Sequence, residues 1–255
     1  FYIAIIIVVL SILIHFTSGQ FFTVNNLVDL ARSLIVPGIL ACGLLMVIAS
    51  GQIDVSFPYT AMLCMFFVTN TFKSINYAGP AFLGFLLAAI IGIFCGSING
   101  ILAAWLRLPT LIITLGTCAI FHGFTQGVLK SSVISVLPKS LKDISQASLF
   151  SVRSISTGLG SSMPISIFIL IGTMTLVHFI MRYTMLGRGI YALGGDAVSA
   201  ERAGFNVSFI RIFVFAFMGM IGGIAGLTQV TLSGMCQINF FDGYEMTIIA
   251  AVVLG

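Results

Sequence analysis

The sequence predicts an all-α polytopic membrane protein. Of its 255 residues, 59% are apolar and only 7% are charged, whereas a soluble domain carries about 25% charged residues. Only a bilayer accepts so much apolar outer surface, because lipid takes the place of water around it. The apolar residues also gather into runs close to the roughly 20 residues that a spanning helix needs.

Eight apolar segments follow one another, and each is interpreted as a membrane helix. The first run begins directly after Phe1 and the last stops at Gly255. We therefore expect residues 1–255 to form a single transmembrane domain that is incomplete at both ends. The segments cover about 1–16, 33–50, 55–72, 79–105, 110–129, 164–182, 209–234 and 245–255.

A polar break, Ser50–Asp54, separates the second segment from the third. Neither segment is long, so the break lies inside the membrane or at its edge. Irregular backbone is tolerated there only where protein covers it or where it lines a water-filled cavity. Asp54 has two open roles: a structural acid that caps the following half-helix, Val55–Phe72, through free backbone N–H groups, or a proton-relay acid.

The two longest polar stretches are residues 130–163 and 182–208. Lys and Arg divide almost evenly between the two sides, so charge alone leaves the orientation undecided. In the second stretch, Asp196 is a candidate N-cap, Ala197–Ala203 a short helix and Gly204 its stop. A capped helix of this kind is either an interfacial connector or a docking element for a partner protein, and its spacing favours neither.

The fourth segment carries small residues at every fourth position. At 3.6 residues per turn they form one slowly drifting stripe along a helix. Such a stripe lets a neighbouring backbone approach closely, so we predict helix packing there, with a direct role in a substrate pathway as the alternative. The stripe consists of Gly84, Ala88, Gly92, Gly96, Gly100 and Ala104.

Motifs of catalysis are absent from the sequence. It has no GxxxxGK[ST] phosphate loop, so this chain does not hydrolyse ATP by that route, and it has neither an HExxH zinc site nor a GxSxG nucleophile turn. Its five cysteines stand singly, with the spacing of neither a zinc site nor a disulfide framework. We predict no catalytic residue, metal or cofactor. A net charge of +4 suits contact with anionic lipid and is too small to predict nucleic acid binding.

Five stretches stand in an order and spacing shared with a known family. They are Ser50–Ser56, similar to G-x-D-L-S; Gly96–Gly100 with Trp105–Pro109, similar to G-x-x-N-G and a hydrophobic-basic-x-P run; Ile113–Thr117, similar to T-L-G-T; Tyr191–Gly204, which ends in A-x-x-x-G; and Ile249–Gly255, similar to A-A-V-V-L-G. Through them the chain resembles the permeases of bacterial ABC importers for ribose and related simple sugars. It departs at Phe57-Pro58-Tyr59, where the family commonly has V-G-S, so the substrate of a particular relative does not transfer.

The resemblance implies an all-helical permease with about ten membrane segments when complete, paired with a second permease subunit. It also implies two cytoplasmic ATP-binding subunits and an extracytoplasmic sugar-binding protein at the bacterial inner membrane. Residues 182–208 would then be cytoplasmic and 130–163 external. The short helix within residues 182–208 would then be a coupling helix that docks the ATP-binding subunit. The candidate residues for this coupling are Asp196, Ala200, Glu201, Arg202, Ala203 and Gly204.

We therefore expect the permease subunit of an ATP-driven importer that moves a pentose- or hexose-type solute by alternating access. An ion-coupled secondary transporter of a small polar solute is the alternative, and it would need its own ion site. A membrane-embedded enzyme is a third hypothesis, and it is disfavoured because the sequence has no convincing set of catalytic residues. Candidates for the translocation path are Asp54, Asn99, Thr114 and Thr117, and candidates for helix packing are Gly92, Gly96 and Gly100.

Overall fold

The computed structural model describes residues 2–106, 108–129, 133–153 and 160–255. Arg107, the basic residue of the Trp105–Pro109 run, lies outside the described residues. Within the described ranges, the first helices are α1 (Tyr2–Ser18), α2 (Val24–Ser33), α3 (Ile35–Ala49), α4 (Phe57–Ser74), α5 (Phe82–Leu106), α6 (Thr110–Gly127) and α7 (Lys139–Gln146). An antiparallel hairpin follows, with strands β1 (Ser148–Arg153) and β2 (Gly160–Pro164). The remaining helices are α8 (Ile167–Tyr183), α9 (Met185–Gly195), α10 (Ala197–Arg202), α11 (Val207–Ser233), a 3-10 helix (Ile238–Phe241) and α12 (Tyr244–Leu254).

The predicted all-α membrane class is confirmed. Each of the eight predicted segments contains a helix: α1, α3, α4, α5, α6, α8, α11 and α12. By length and composition, α5 and α11 can each cross a membrane alone. Up to four spans result if two bent pairs also cross, α2 with α3 at 42° and α8 with α9 at 75°. The full number of crossings stays a prediction.

The centre of the fold is the contact between α5 and α11. A side-chain Cβ added at Gly92, Gly96 or Gly100 would meet the backbone of α11; at Gly100 it would lie 2.6 Å from the Ile212 Cα. The two backbones can come this close only because glycine has no side chain. Since α11 also packs against α3 and α4, the closely packed pair fixes the position of the polar break between those two helices.

The two ends of the bundle differ in structure. At one end, which we call the hairpin end, the Asn25 Nδ2 donates to the Val152 carbonyl at 3.0 Å, so the hairpin is held against α2. At the other end, the α10 end, α9 lies beside the C-terminus of α3, and α10 packs against α9 and α11. Helix α11 starts after α10, and its last turn lies beside α2 at the hairpin end. Because α11 is 27 residues long, the two ends of the bundle lie roughly 40 Å apart along its axis.

Candidate functional site

The polar break begins with a reversal of the chain at the end of α3. Gly51 has a φ of +73°, a conformation that side-chain-bearing residues rarely adopt. Its N–H donates to the Ile48 carbonyl at 2.9 Å, and the Gln52 N–H donates to the Val47 carbonyl at 3.2 Å. This pairing is a Schellman motif, which satisfies the last carbonyls of α3 and sends the chain back along the bundle.

Beyond the reversal, the extended break lies along the first turn of α6. The N–H of Ile53 donates to the Thr110 hydroxyl at 3.0 Å, and the N–H of Val55 donates to the Thr114 hydroxyl at 3.3 Å. Two extended residues cover about 6.7 Å, and the four helical positions from Thr110 to Thr114 cover about 6 Å, so the spacings match. The two threonines supply acceptors for backbone N–H groups that an extended segment beside a helix otherwise lacks.

The end of the break holds a chain of three buried polar side chains. The Ser56 N–H and hydroxyl both donate to the Asp54 Oδ1, each at 2.7 Å, and the Asn99 Nδ2 donates to the Ser56 hydroxyl at 2.7 Å. Asp54, Ser56 and Asn99 are 3%, 1% and 1% exposed. In this arrangement α5 is tied to the start of α4 by side-chain hydrogen bonds.

The predicted capping role of Asp54 is only partly right. The helix starts at Phe57 rather than Val55, its N-cap is Ser56, and that side chain makes no capping bond. Asp54 accepts the N–H of Ser56, one residue before the first turn, so it orders the entry into α4 and does not cap the helix itself. Pro58, which has no N–H, reduces the number of donors in that turn that need a partner.

Two acceptors beside this chain have no hydrogen-bond partner among the described residues. They are the Gln52 Oε1 and the Asn99 Oδ1, both buried. An unpaired buried acceptor costs roughly 1–3 kcal/mol, and groups of this kind are typical of elements that rearrange or bind. Gln52 donates from its Nε2 to the Ser50 hydroxyl at 2.9 Å, so only one end of its amide is held.

Thr117 does not join the break, although it was grouped with Thr114 as a candidate for the path. Its hydroxyl donates to the carbonyls of Ile113 and Thr114 within α6, and the residue is 5% exposed.

Thr110 and Ser56 are site residues that the sequence did not predict. Thr110 follows Pro109 at the predicted start of a segment, but its partner is the Ile53 backbone, 57 positions away, and no local pattern indicates such a pairing.

The helix α10 has the predicted stop and start signals. The Asp196 Oδ2 accepts the N–H of Ser199 at 2.7 Å, which makes Asp196 the N-cap. Gly204 has a φ of +89°, and its N–H donates to the Glu201 carbonyl at 2.9 Å. The Ser199 hydroxyl and N–H hold the pKa of the exposed Asp196 carboxyl below its usual value, because both stabilise the carboxylate.

The faces of α10 differ from the expected small-residue docking face. Ala200 is 2% exposed and packs against the permease itself, so it cannot contact a partner in this conformation. Glu201, Arg202 and Ala203 are exposed. Any partner would therefore meet a charged face, with Ala200 as an internal anchor.

Backbone contact joins the α10 end to the polar break. A Cβ added at Gly194, near the end of α9, would collide with the Ala49 carbonyl oxygen and would lie 3.3 Å from the Gly51 N. The start of the break therefore lies directly against the chain segment that leads into α10.

In this bundle of apolar helices, a buried polar break joins α3 to α4, and the start of that break contacts the chain segment that leads into α10. The chain belongs to the transport family described as branched-chain amino acid transport system / permease component, which residues 26–255 match. It is thus a transport permease component.

Relatives carry the names of sugar and signal-molecule permeases. The ribose import permease protein RbsC of Haemophilus influenzae is 30% identical over 249 residues, which is 98% of this chain and 74% of the relative. RbsC of Escherichia coli K12 is 30% identical over 250 residues, with the same two shares. The autoinducer 2 import system permease protein LsrC of Yersinia enterocolitica is 33% identical over 217 residues, 85% of this chain and 56% of the relative. No solved structure matches the chain.

Proposed function

We propose that this chain is the membrane-spanning permease subunit of an ATP-driven sugar importer in the bacterial inner membrane. It moves a pentose- or hexose-type solute by alternating access. Its partners are cytoplasmic ATP-binding subunits, a second permease subunit and an extracytoplasmic sugar-binding protein. The names of the relatives, which import ribose and autoinducer 2, support the solute class.

The contact of Gly194 with Ala49 and Gly51 is the observation that carries this proposal. Importers driven from outside the membrane need a rigid connection between the partner that hydrolyses ATP and the helices that open the path. In this chain, the ATP-binding subunit contacts α10 at Glu201 and Arg202 and its C-cap at Ala203. The contact of Gly194 with Ala49 and Gly51 transmits the resulting displacement to the polar break.

The break is the element that rearranges. Its hydrogen bonds come from side chains on two other helices, Asn99 on α5 and Thr114 on α6. Because these bonds join separate helices, a shift of α3 can replace them with other hydrogen bonds without breaking the backbone ladder of a continuous helix. Asp54 remains at the centre of this exchange. Thr117, one turn further along α6, takes no part in this exchange, because its hydroxyl bonds only to carbonyls of its own helix.

The test is transport by the reconstituted complex. The permease is produced together with ATP-binding and sugar-binding subunits from its source organism and is placed in proteoliposomes. Uptake of a labelled pentose or hexose should require ATP and both partners. Uptake by the permease alone, driven by a proton or sodium gradient, would instead identify an ion-coupled secondary transporter.

A surface variant tests the docking face separately. Ala203→Trp adds bulk at the exposed C-cap of α10, whereas Lys142→Trp, on the exposed surface of α7 at the hairpin end, is the matched control. The Ala203 variant should stay folded but lose the ATP-binding subunit on purification, and the control should retain it. Retention by both variants would show that α10 is only a connector.

A further inference from the structure

A polar cavity of about 430 Å³ lies at the hairpin end. We call it the outer cavity; its lining includes the polar residues Asp29, Arg32, Ser33, Gln229, Ser233 and Tyr244. Its size falls within the range of roughly 300–1,000 Å³ that is usual for small-molecule sites. Six of its eight lining residues are polar, in contrast to a second cavity beside α7, where seven of eight are apolar. An apolar recess suits lipid tails, whereas the outer cavity suits a polar solute.

Three separate parts of the chain form the outer cavity. The 42° bend between α2 and α3 opens one wall, the last turn of α11 forms the second, and Tyr244, the first residue of α12, closes the third. Helix ends meet here, so backbone and side-chain polar groups converge where the interior of the bundle would otherwise be apolar.

The two charged residues of the cavity are held in place. The Arg32 Nη2 donates to the Leu232 carbonyl in the last turn of α11 at 2.9 Å, and the Ser161 hydroxyl of β2 donates to the Asp29 Oδ2 at 2.8 Å. A guanidinium has five N–H donors and a carboxylate has two acceptor oxygens. Arg32 and Asp29 therefore keep capacity for a ligand while their orientation is fixed.

Gln229 and Tyr244 supply further uncommitted groups. Both are partly buried, and in the described part of the chain neither the Gln229 amide nor the Tyr244 hydroxyl hydrogen-bonds. The Tyr244 ring packs edge-on against Phe241 at 5.5 Å, which fixes its position. Donors, acceptors and an aromatic ring together complement a molecule that carries hydroxyl groups on an otherwise compact ring.

We infer that the outer cavity binds a neutral polyhydroxylated solute, the sugar, on its way from the extracytoplasmic side into the permease. The charges of Asp29 and Arg32 cancel, which favours a neutral ligand. Val36 and Leu232 are the only aliphatic residues among the eight that line the cavity, which favours a hydroxyl-bearing solute over an aliphatic amino acid. This inference rests on the proposed function, which supplies the orientation and the solute class.

Protection from chemical labelling tests the inference on the assembled complex. Ser33→Cys places a thiol at an exposed position of the cavity, and Asn239→Cys places one at an exposed position of the 3-10 helix outside it. A membrane-impermeant maleimide is added from the outside, with and without the sugar that the wild-type complex takes up. That sugar should slow modification of the Ser33 variant severalfold and leave the Asn239 variant unchanged; leucine should protect neither.

Each other outcome is decisive. Equal rates with and without sugar, or labelling of Ser33→Cys only from the inside, would overturn the site. Protection by leucine alone would overturn the polyol class. A wild-type complex that takes up no sugar would already have refuted the proposed function, before any variant is made.

Two further variants, each in the Ser33→Cys background, test the recognising groups. Gln229→Ala and Tyr244→Phe each remove a neutral hydrogen-bonding group without touching the anchors at Asp29 and Arg32. The sugar concentration that gives half-protection should rise roughly 2- to 12-fold for each, the factor that corresponds to one net hydrogen bond. Asn239→Ala should not change it. Unchanged half-protection in both variants, with folding verified by gel filtration, would contradict recognition by these groups.

Discussion

Gly96→Ala places one methyl group between α5 and α11, where the two backbones are in contact. The added Cβ would collide with the Phe215 carbonyl oxygen and would lie 2.9 Å from the Phe215 carbonyl carbon and 3.0 Å from the Ala216 Cα. These atoms belong to a helix backbone, so no side-chain rotation relieves the collision and the two helices must separate.

The expected magnitude follows from two opposing effects. Overpacking costs about 1–3 kcal/mol, and the upper value applies because the obstacle is backbone. Alanine in place of glycine gains up to about 1 kcal/mol in a helix. The net loss is about 2 kcal/mol, which corresponds to a fall of about 4–8 °C in Tm at about 2–4 °C per kcal/mol.

Thermal stability of the detergent-solubilised permease measures this loss, by gel filtration after heating to a series of temperatures. The matched control is Gly172→Ala on α8, where an added Cβ has no atom within 4 Å, so its Tm should stay level or rise. A Tm for Gly96→Ala at or above that of the wild type, with the control behaving as expected, would refute the close α5–α11 contact.

Three further predictions concern the break and α10. Thr114→Val removes the acceptor of the Val55 N–H and should lower both stability, by about 1–3 kcal/mol, and uptake in proteoliposomes, whereas Thr117→Val, which loses only bonds within its own helix, should change neither; equal losses would contradict the site. Asp54→Asn keeps an acceptor for the Ser56 N–H and should retain most uptake, while Asp54→Leu should not fold; an assembled but inactive Asn variant would indicate a role for the charge. Because the folded pKa of Asp196 is lowered, its stabilisation of α10 is present above the unfolded pKa of about 4 and is lost as pH falls through the folded value. Retention of the ATP-binding subunit on a pull-down should therefore be level from about pH 5 to 8 and fall only under more acidic conditions, with Asp196→Asn removing that dependence.

Local patterns in the sequence determined the class of protein and much of its helical structure. Apolar runs are a property of neighbouring residues, so the eight segments were correctly predicted as helices. The N-cap at Asp196 and the stop at Gly204 were also predicted, because both depend on hydrogen bonds that span only three to five positions. The glycine stripe of α5 indicated close packing for the same reason, although it did not name α11 as the partner.

Only the tertiary structure decided which residues act together. Asn99 meets Ser56 across 43 positions, Thr110 meets Ile53 across 57, and Arg32 meets Leu232 across 200. The tertiary structure likewise buries Ala200, which the sequence had placed on the docking face, and it places Gly194 in contact with Gly51. Periodicity fixes which residues share a helix face, but the element that each face meets depends on the packing of the whole chain, in which backbone groups of the break find acceptors that their own segment cannot provide.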